Sequence, residues 1–399
     1  MVTLSLCMIV KNEAARLAAC LESACSFVDE IVILDTGSTD ATVEIAKQFN
    51  AVVEFHPWNN DFAEARNIAL QFVTSDWVLV LDADERLTSD IAPQLRHVIA
   101  REDDCLVVNL VRQEIGAAQS PYSLVSRLFR NHPDVRFTRP YHAMVDDSVA
   151  ELLNRESHWK IQELSGVAIL HDGYQAEAIA NRNKLQNARL TMERYLSHHP
   201  GDPYVCSKLG ALYVELGRPT YGIELLERGL KATPLEAPVA YELHYHLGIV
   251  YSKMKCVAQA LHHYEQAIKQ PILPALKLGA YNNLGSVRQA TGDVEEARLL
   301  FEQAIAIDPK FAKGHFNLGM VLKQSGQMTG AIASYQHAIQ LQPDYAEAHQ
   351  NLGVALLKMG QVTQGIQAFQ QAIRLHEDKK NLHEAQRLRE GLEGMGFKV

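Results

Sequence analysis

Five Leu-Gly pairs divide the second half of the chain into units of nearly constant length: Leu209-Gly210, Leu247-Gly248, Leu284-Gly285, Leu318-Gly319 and Leu352-Gly353. The last three are spaced by 34 residues, the earlier ones by 38 and 37. Twelve positions after each pair comes a small residue (Gly222, Ala260, Ala297, Ala331, Gly365), and four further on a large apolar one (Leu226, Tyr264, Phe301, Tyr335, Phe369). Three more positions bring Gly229, Ala267, Ala304, Ala338 and Ala372, and most units close on a proline (Pro234, Pro271, Pro309, Pro343). Small residues let two helices approach closely, the large one fills the groove, and proline stops the second helix. Such a unit cannot bury its apolar face alone, so the copies must stack.

This pattern resembles the tetratricopeptide repeat. Five units are expected over residues 203–379, closed by a capping helix within 380–399. A plain helical bundle would not give five copies in phase.

The first 175 residues follow another rule. Short β-branched runs alternate with helical segments: strands at Leu4–Val10, Glu30–Asp35, Ala51–Phe55 and Trp77–Asp82, helices at Ala15–Cys25, Ala41–Phe49 and Phe62–Val73. Ile31–Leu34 and Val78–Leu81 are apolar on both faces, as parallel strands covered by helices are. The expected class is therefore α/β plus all-α: a Rossmann-like, mostly parallel sheet over 1–175, a linking helix within 176–202, then the helical solenoid.

Composition narrows the function. The chain is 47% hydrophobic and 21% charged, which suits packed domains rather than disorder. A net charge of −9 argues against a nucleic-acid partner, which would ask for a basic surface. No apolar run reaches the ~18–20 residues needed to cross a bilayer. Met1–Val10 runs straight into Lys11-Asn12-Glu13 with no basic leader or cleavage site, so it is expected to be a strand and not a signal peptide. The six cysteines form no Cys-x-x-Cys or zinc spacing, as in a reducing, cytoplasmic setting.

In an open parallel sheet, ligands bind beyond the C-terminal strand ends. Here those ends carry Lys11-Asn12-Glu13, Asp35-Thr36-Gly37-Ser38-Thr39-Asp40 and Asp82-Ala83-Asp84-Glu85. None is a dinucleotide fingerprint or a phosphate loop, which counts against a dehydrogenase or a P-loop enzyme. Asp82 and Asp84 offer oxygen ligands of the kind hard divalent cations take alongside phosphates. A solvated cap for a helix near Asp90 is the alternative use, disfavoured by the polar clusters at strands 1 and 2. Asp35 ends an apolar strand, where a carboxylate could accept from the imide N–H of uracil; Gly37 and Asp40 also read as a tight turn and a helix cap.

Four segments in one order carry a second resemblance: Leu6–Glu13 (LCMIVKNE), ILDTGSTDAT, the helical step Ala65-Arg66-Asn67, and VLVLDADE. Together they resemble inverting family 2 glycosyltransferases of the GT-A fold, and among them transferases linked to tetratricopeptide repeats that sugar-modify peptides. The resemblance implies a nucleotide-sugar donor, commonly UDP-linked, a Mg²⁺ or Mn²⁺ ion, and single-displacement inversion. By position, it places Asp35 on the nucleobase, Asp82 on the ribose or metal, Asp84 on the metal, and Arg66 near base and phosphates. Glu13 would sit at the nucleotide's edge, or else serve the helix N-terminus as a favourable charge. Arg66 could equally be a helix-surface ion pair.

The run Ser126–Asn131 followed by Arg139–Met144 resembles a subgroup stretch that ends in His-Glu. Here the histidine is His142 and the glutamate position is Ala143, so the general base would pass to Asp146 or Asp147. His171-Asp172-Gly173-Tyr174 matches the subgroup's His-x-Gly-Tyr; His171 would complete the metal shell or hold the donor diphosphate, or else be a core histidine bonded to backbone. Arg66, Arg127 or Arg130 could stabilise the leaving group.

The expected activity is glycosyl transfer, with the repeats recruiting a peptide, protein or glycan acceptor or a protein partner. Asn282, Asn283, Asn317 and Asn351 are expected to line the repeats' concave face and hold a peptide backbone, or else to be solvated or bond within the solenoid. A non-catalytic scaffold with a degenerate catalytic half, Ala143 being the symptom, is the alternative. A nucleotidyltransferase lacks its glycine-rich loop here.

Overall fold

The computed structural model describes residues 2–101, 104–117, 121–172 and 182–397. Two compact units divide the chain, Met1–Leu235 and Glu236–Val399.

The first unit is built on an eight-stranded sheet: β1 Leu4–Val10, β2 Glu30–Asp35, β3 Val52–Phe55, β4 Trp77–Val80, β5 Glu85–Leu87, β6 Cys105–Glu114, β7 Tyr122–Arg130 and β8 Lys160–His171. The strand order is β3-β2-β1-β4-β7-β6-β8-β5. β1, β2, β3 and β4 run parallel, β7 is antiparallel to both β4 and β6, β8 runs parallel to β6, and β5 closes the far edge antiparallel to β8. The sheet is thus mixed, with its parallel half at the N-terminus.

Strand periodicity sorts the core into two layers. Leu4, Leu6, Met8, Ile31, Ile33, Trp77 and Leu79 face one side, covered by α1 (Leu17–Ala24), α2 (Thr42–Gln48) and α4 (Ala92–Arg101). Cys7, Val32, Leu34, Val78 and Val80 face the other, covered by α3 (Phe62–Leu70) and α5 (Asp146–Arg155). Apolar residues on both faces are what a two-sided cover requires.

Helix α6 (Arg182–His198) follows; the expected start of the linking helix at 176–181, like Gly173 and Tyr174, lies outside the described residues. The first repeat pair, α7 (Pro203–Glu215) and α8 (Pro219–Gly229), belongs to this first unit. Ala188, Met192 and Leu196 of α6 share one core with Val205, Cys206, Leu209 and Leu225.

The second unit stacks helix pairs: α9 (Ala237–Lys253) with α10 (Val257–Lys269), α11 (Leu278–Thr291) with α12 (Val294–Ile307), α13 (Ala312–Gln324) with α14 (Met328–Leu341), and α15 (Ala346–Lys358) with α16 (Val362–Asp378). Helix α17 (Leu382–Gly394) packs on α16. Each Leu-Gly glycine lies against the large residue sixteen positions later. A Cβ at Gly248 or Gly319 would fall 2.6 Å from the ring of Tyr264 or Tyr335, so the glycine is what admits the aromatic.

The asparagines correct one expectation. Asn282 is buried at 1% exposure and accepts from Asn317 Nδ2 at 2.8 Å, and Asn351 accepts from Lys323 Nζ at 2.6 Å. Asn283 donates to the Tyr245 hydroxyl at 3.4 Å. Buried Asn282 needs partners, and it and the half-buried Asn283, Asn317 and Asn351 find them inside the repeats.

Candidate active site

The C-terminal ends of β1, β2 and β4 lie side by side, because Val10 pairs with Asp35 and Cys7 with Val80. The first two loops are tied to each other. Asn12 donates its N–H to Ser38 Oγ (2.9 Å) and accepts from Thr39 N–H (2.7 Å), and Glu13 N–H reaches Thr42 Oγ1 (2.8 Å). The carboxylate of Asp35, 5% exposed, accepts from the N–H groups of Gly37 and Ser38 at 3.1–3.2 Å. That bond pattern shapes the turn, and Gly37 supplies its positive φ of 106°.

Strand β4 stops at Val80, earlier than the expected Asp82. The Asp82 N–H turns to Glu85 Oε2 (2.9 Å) and the Glu85 N–H to Asp82 O (2.9 Å), so the chain folds back at Asp82-Ala83-Asp84 and enters β5. β5 pairs Glu85 with His171 of β8. That pairing sets His171 Nε2 3.5 Å from Asp84 Oδ2, joining residues far apart in sequence.

A charged network surrounds this turn. Asp82 accepts from Arg66 Nη2 (2.6 Å) and Arg127 Nη2 (2.8 Å). Fully buried Glu85 accepts from Arg112 Nη1 (2.9 Å), and Arg112 also binds Glu114 (2.8 Å). Glu114 Oε2 lies 2.5 Å from His171 Nδ1, and Arg16 stands 3.6 Å from Asp84. Burial would raise the Asp82 pKa, but Arg127 and Arg66 outweigh it and hold the carboxyl far below the usual range. Burial would likewise discharge His171, yet its bonds to Asp84 and Glu114 win and lift its pKa to about 9. Four carboxylates (Asp82, Asp84, Glu85, Glu114) thus face three well-buried arginines, the more exposed Arg16 and the His171 imidazole. Arg66 Nε and Nη1 and Arg127 Nη1 are buried without a hydrogen-bond partner, an expense that interiors rarely carry.

Of the residues expected from sequence, Asp82, Asp84, Arg66 and His171 come together here, with Asp35 at the adjoining end of β2 and Glu13 in the loop after β1. Arg66 is an interior ion pair and not a helix-surface one, at 6% exposure. Arg127 joins the network, whereas Arg130, three residues on and so on the opposite face of β7, bonds Cys105 O (2.7 Å) and lies over Trp77. Asp147 is held by Arg139 (2.6 Å) and Thr138, Asp146 accepts from Ser126 Oγ (2.9 Å), and His142 is exposed beside Tyr141. Glu85, Arg112 and Glu114 went unread. For the latter two the signal was charge at alternate positions at the end of the largely apolar strand β6.

Residues 5–162 match the family described as Glycosyl transferase family 2, and the stretches 285–326, 321–360 and 346–385 match tetratricopeptide repeat families. A TPR repeat-containing protein of Synechococcus elongatus is 40% identical over 309 residues, 77% of this chain and 76% of that one. The chain joins an N-terminal glycosyl transferase family 2 domain to C-terminal tetratricopeptide repeats. The SPbeta prophage-derived glycosyltransferase SunS of Bacillus subtilis is 31% identical to this chain over 208 residues, half of this chain and 47% of that one. The chain therefore spans about half the length of SunS. An uncharacterized glycosyltransferase of Rickettsia felis is 28% identical over 210 residues, 47% of this chain and 74% of that one. Among solved structures, a MamA protein matches 46% of this chain and 96% of its own, at 22% identity and a TM-score of 0.38. No helix among the described residues is long and apolar enough to cross a membrane.

Proposed function

We propose that this family 2 member is a metal-dependent, inverting glycosyltransferase of the cytoplasm that moves a sugar from a UDP-linked donor to a peptide or protein acceptor. The observation that carries the reading is the turn after β4. There Asp84 and His171 present an oxygen and a nitrogen 3.5 Å apart, beside a carboxylate that two buried arginines keep ionised. A carboxylate and an imidazole suit Mn²⁺, or Mg²⁺ with more oxygen ligands. Asp84 and His171 would hold the ion, with Asp82 near it. When bound, the ion supplies positive charge to the donor diphosphate.

The chain's own groups do the rest. Cleavage of the bond between the anomeric carbon and the phosphate oxygen builds negative charge on UDP, which Arg66 and Arg127 oppose from a dry position. Asp35 at the end of β2 and Glu13 in the loop braced against the turn that follows β2 line the nucleotide side. A single attack by the acceptor from the opposite face inverts the anomeric centre, and a carboxylate takes its proton. Asp146 or Asp147 is the candidate for that base, with His142 nearby in the same loop region. In this reading residues 1–175 carry the chemistry, 176–202 link, 203–379 recruit the acceptor or a protein partner, and 380–399 cap the stack.

The test is calorimetry of UDP with and without Mn²⁺, followed by UDP release from UDP-glucose and UDP-N-acetylglucosamine. Mn²⁺-dependent UDP binding that Asp84→Ala removes supports the reading. Full turnover in excess chelator ends the metal role, and absence of UDP binding returns the chain to the scaffold alternative.

A further inference from the structure

The segment 138–144 of the first unit carries two non-glycine residues with left-handed backbone, Arg139 at φ 69° and His142 at φ 54°. Such conformations persist only where the surroundings over-determine them. Here the surroundings are supplied by the first repeat. The Arg139 guanidinium, 8% exposed, donates Nη1 to Asp147 (2.6 Å) and lies 3.0 Å from Asp202 Oδ2 through both Nε and Nη2. It also sits 5.1 Å over the Tyr204 ring. Asp202 is itself the cap of α7, accepting from the Val205 N–H at 2.9 Å, and it accepts from the Tyr195 hydroxyl at 3.4 Å. Between the two strained residues, Tyr141 packs into the core made by α6, α7 and α8.

The other side of the same segment leads to the candidate active site. Phe137 exchanges two hydrogen bonds with Asn67 (2.7 and 2.9 Å), and its ring lies 5.2 Å from the Arg66 guanidinium that holds Asp82. Pro140 O accepts from the Phe62 N–H at the start of α3 (3.0 Å), and Thr138 and Met144 bond each other at 2.8 and 3.3 Å. The loop that ends in Asp146 and Asp147 is therefore bonded on one side to the residues around Asp82 and on the other to the first repeat's helix cap.

We propose that Arg139 is a positioning residue: clamped between Asp147 and Asp202, it fixes the 138–144 loop on the first repeat, so the catalytic unit includes that repeat. The inference rests on the transferase reading above and assigns the first repeat a different task from acceptor recruitment. A guanidinium fork suits it, since one group must satisfy two carboxylates that arrive from different parts of the chain. Loss of the fork leaves Asp147 and Asp202 facing each other unneutralised, and the loop is freed to relax out of its left-handed turns.

The experiment uses the full chain and compares wild type with Arg139→Met, Arg139→Lys and Asp202→Asn. Hydrogen exchange at the Phe62 and Met144 amides should quicken at least tenfold in Arg139→Met, with α11–α16 unchanged. UDP release from UDP-glucose or UDP-N-acetylglucosamine, whichever wild type turns over, should fall at least tenfold while the Kd for UDP with Mn²⁺ stays within twofold. Arg139→Lys, which keeps the charge, should recover part of that rate. Wild-type turnover in Arg139→Met overturns the proposal, and so does a loss of UDP affinity equal to the loss of rate, which would signal general damage. The exchange arm needs no donor. If wild type binds no UDP, the transferase reading fails, and unchanged exchange in Arg139→Met then sinks the clamp separately.

Discussion

Buried polar side chains in the sheet unit include Asp35, Arg66, Glu85 and Glu114, whereas those described as buried in the second unit are Asn282, Ser334 and His376 among many apolar ones. The contrast is one of purpose. Burying charge is expensive, and paired charges in an interior seldom add net stability, so the sheet unit holds its network where charged groups must be kept fixed. The repeats instead fit rings such as Tyr264 and Tyr335 against glycines, a matter of shape alone. Damage to one unit should therefore be read in activity and pH, and damage to the other in cooperativity of unfolding.

The comparison is sharpest at Asp84. Asp84→Ala should lower sugar transfer at least ~1,000-fold in a UDP-release assay, since it removes the group proposed to hold the metal. The same change should shift stability by only about 1 kcal/mol, because the side chain is partly exposed. A loss of folding on the scale of the loss of activity would place Asp84 with the structural charges.

Next comes Tyr335→Ala. This ring is fully buried between helices of one repeat, and its removal should cost about 3–5 kcal/mol in chemical denaturation, confined to the second unit. If UDP affinity fell in parallel, the two units would not be independent in this sense.

Asp82→Asn should destabilise the first unit by about 3 kcal/mol, because Arg66 and Arg127 would lose the charge that neutralises them. An unchanged midpoint would mean that solvent already screens the pair.

The units should also differ in acid. In the repeats, burial and then the charges of His244 and His262 push His263 down to about 4, with its Nδ1 3.0 Å from that of His244 and Tyr251 stacked on its ring. An unfolded histidine titrates near ~6.5, so between about pH 6.5 and 4 the unfolded chain binds more protons than the folded one. Stability of the second unit should accordingly be flat above pH 6.5 and fall by about 1–2 kcal/mol as the pH drops toward 4, after allowance for partial exposure. Urea midpoints across that range, compared with those of His263→Gln, are the check.

The smallest effect is Tyr335→Phe. The Tyr335 hydroxyl is buried with no hydrogen-bond partner, so deleting it should be neutral or raise the midpoint slightly, within about 0.5 kcal/mol. A clear loss would reveal a partner for that oxygen.

The differences between expectation and structure follow the range of the interactions involved. Strands β1 and β2 lie where their apolar runs indicated, because a strand buried on both faces announces itself over a few residues. The end of β4 did not, since Asp82 N–H is taken by the carboxylate of Glu85, a choice no propensity encodes. Antiparallel β7 was hidden for a similar reason: direction in a sheet depends on the path of the connection, and here that path decides which face Arg127 and Arg130 take.

Sequence alone determined the repeat period, the small-against-large pairing within it, the two-sided apolar strands and the acidic turn after β4, because each is a local pattern whose chemistry is complete within a few residues or one repeat. Tertiary structure decided the rest. It brought His171 to Asp84 through the β5–β8 pairing, set Arg66 and Arg127 on Asp82, and joined Asn317 to buried Asn282. It also carried Asp202 to Arg139. Those partners lie 16 or more residues apart, and a charge or amide selects among them only when the packed backbone presents one within reach.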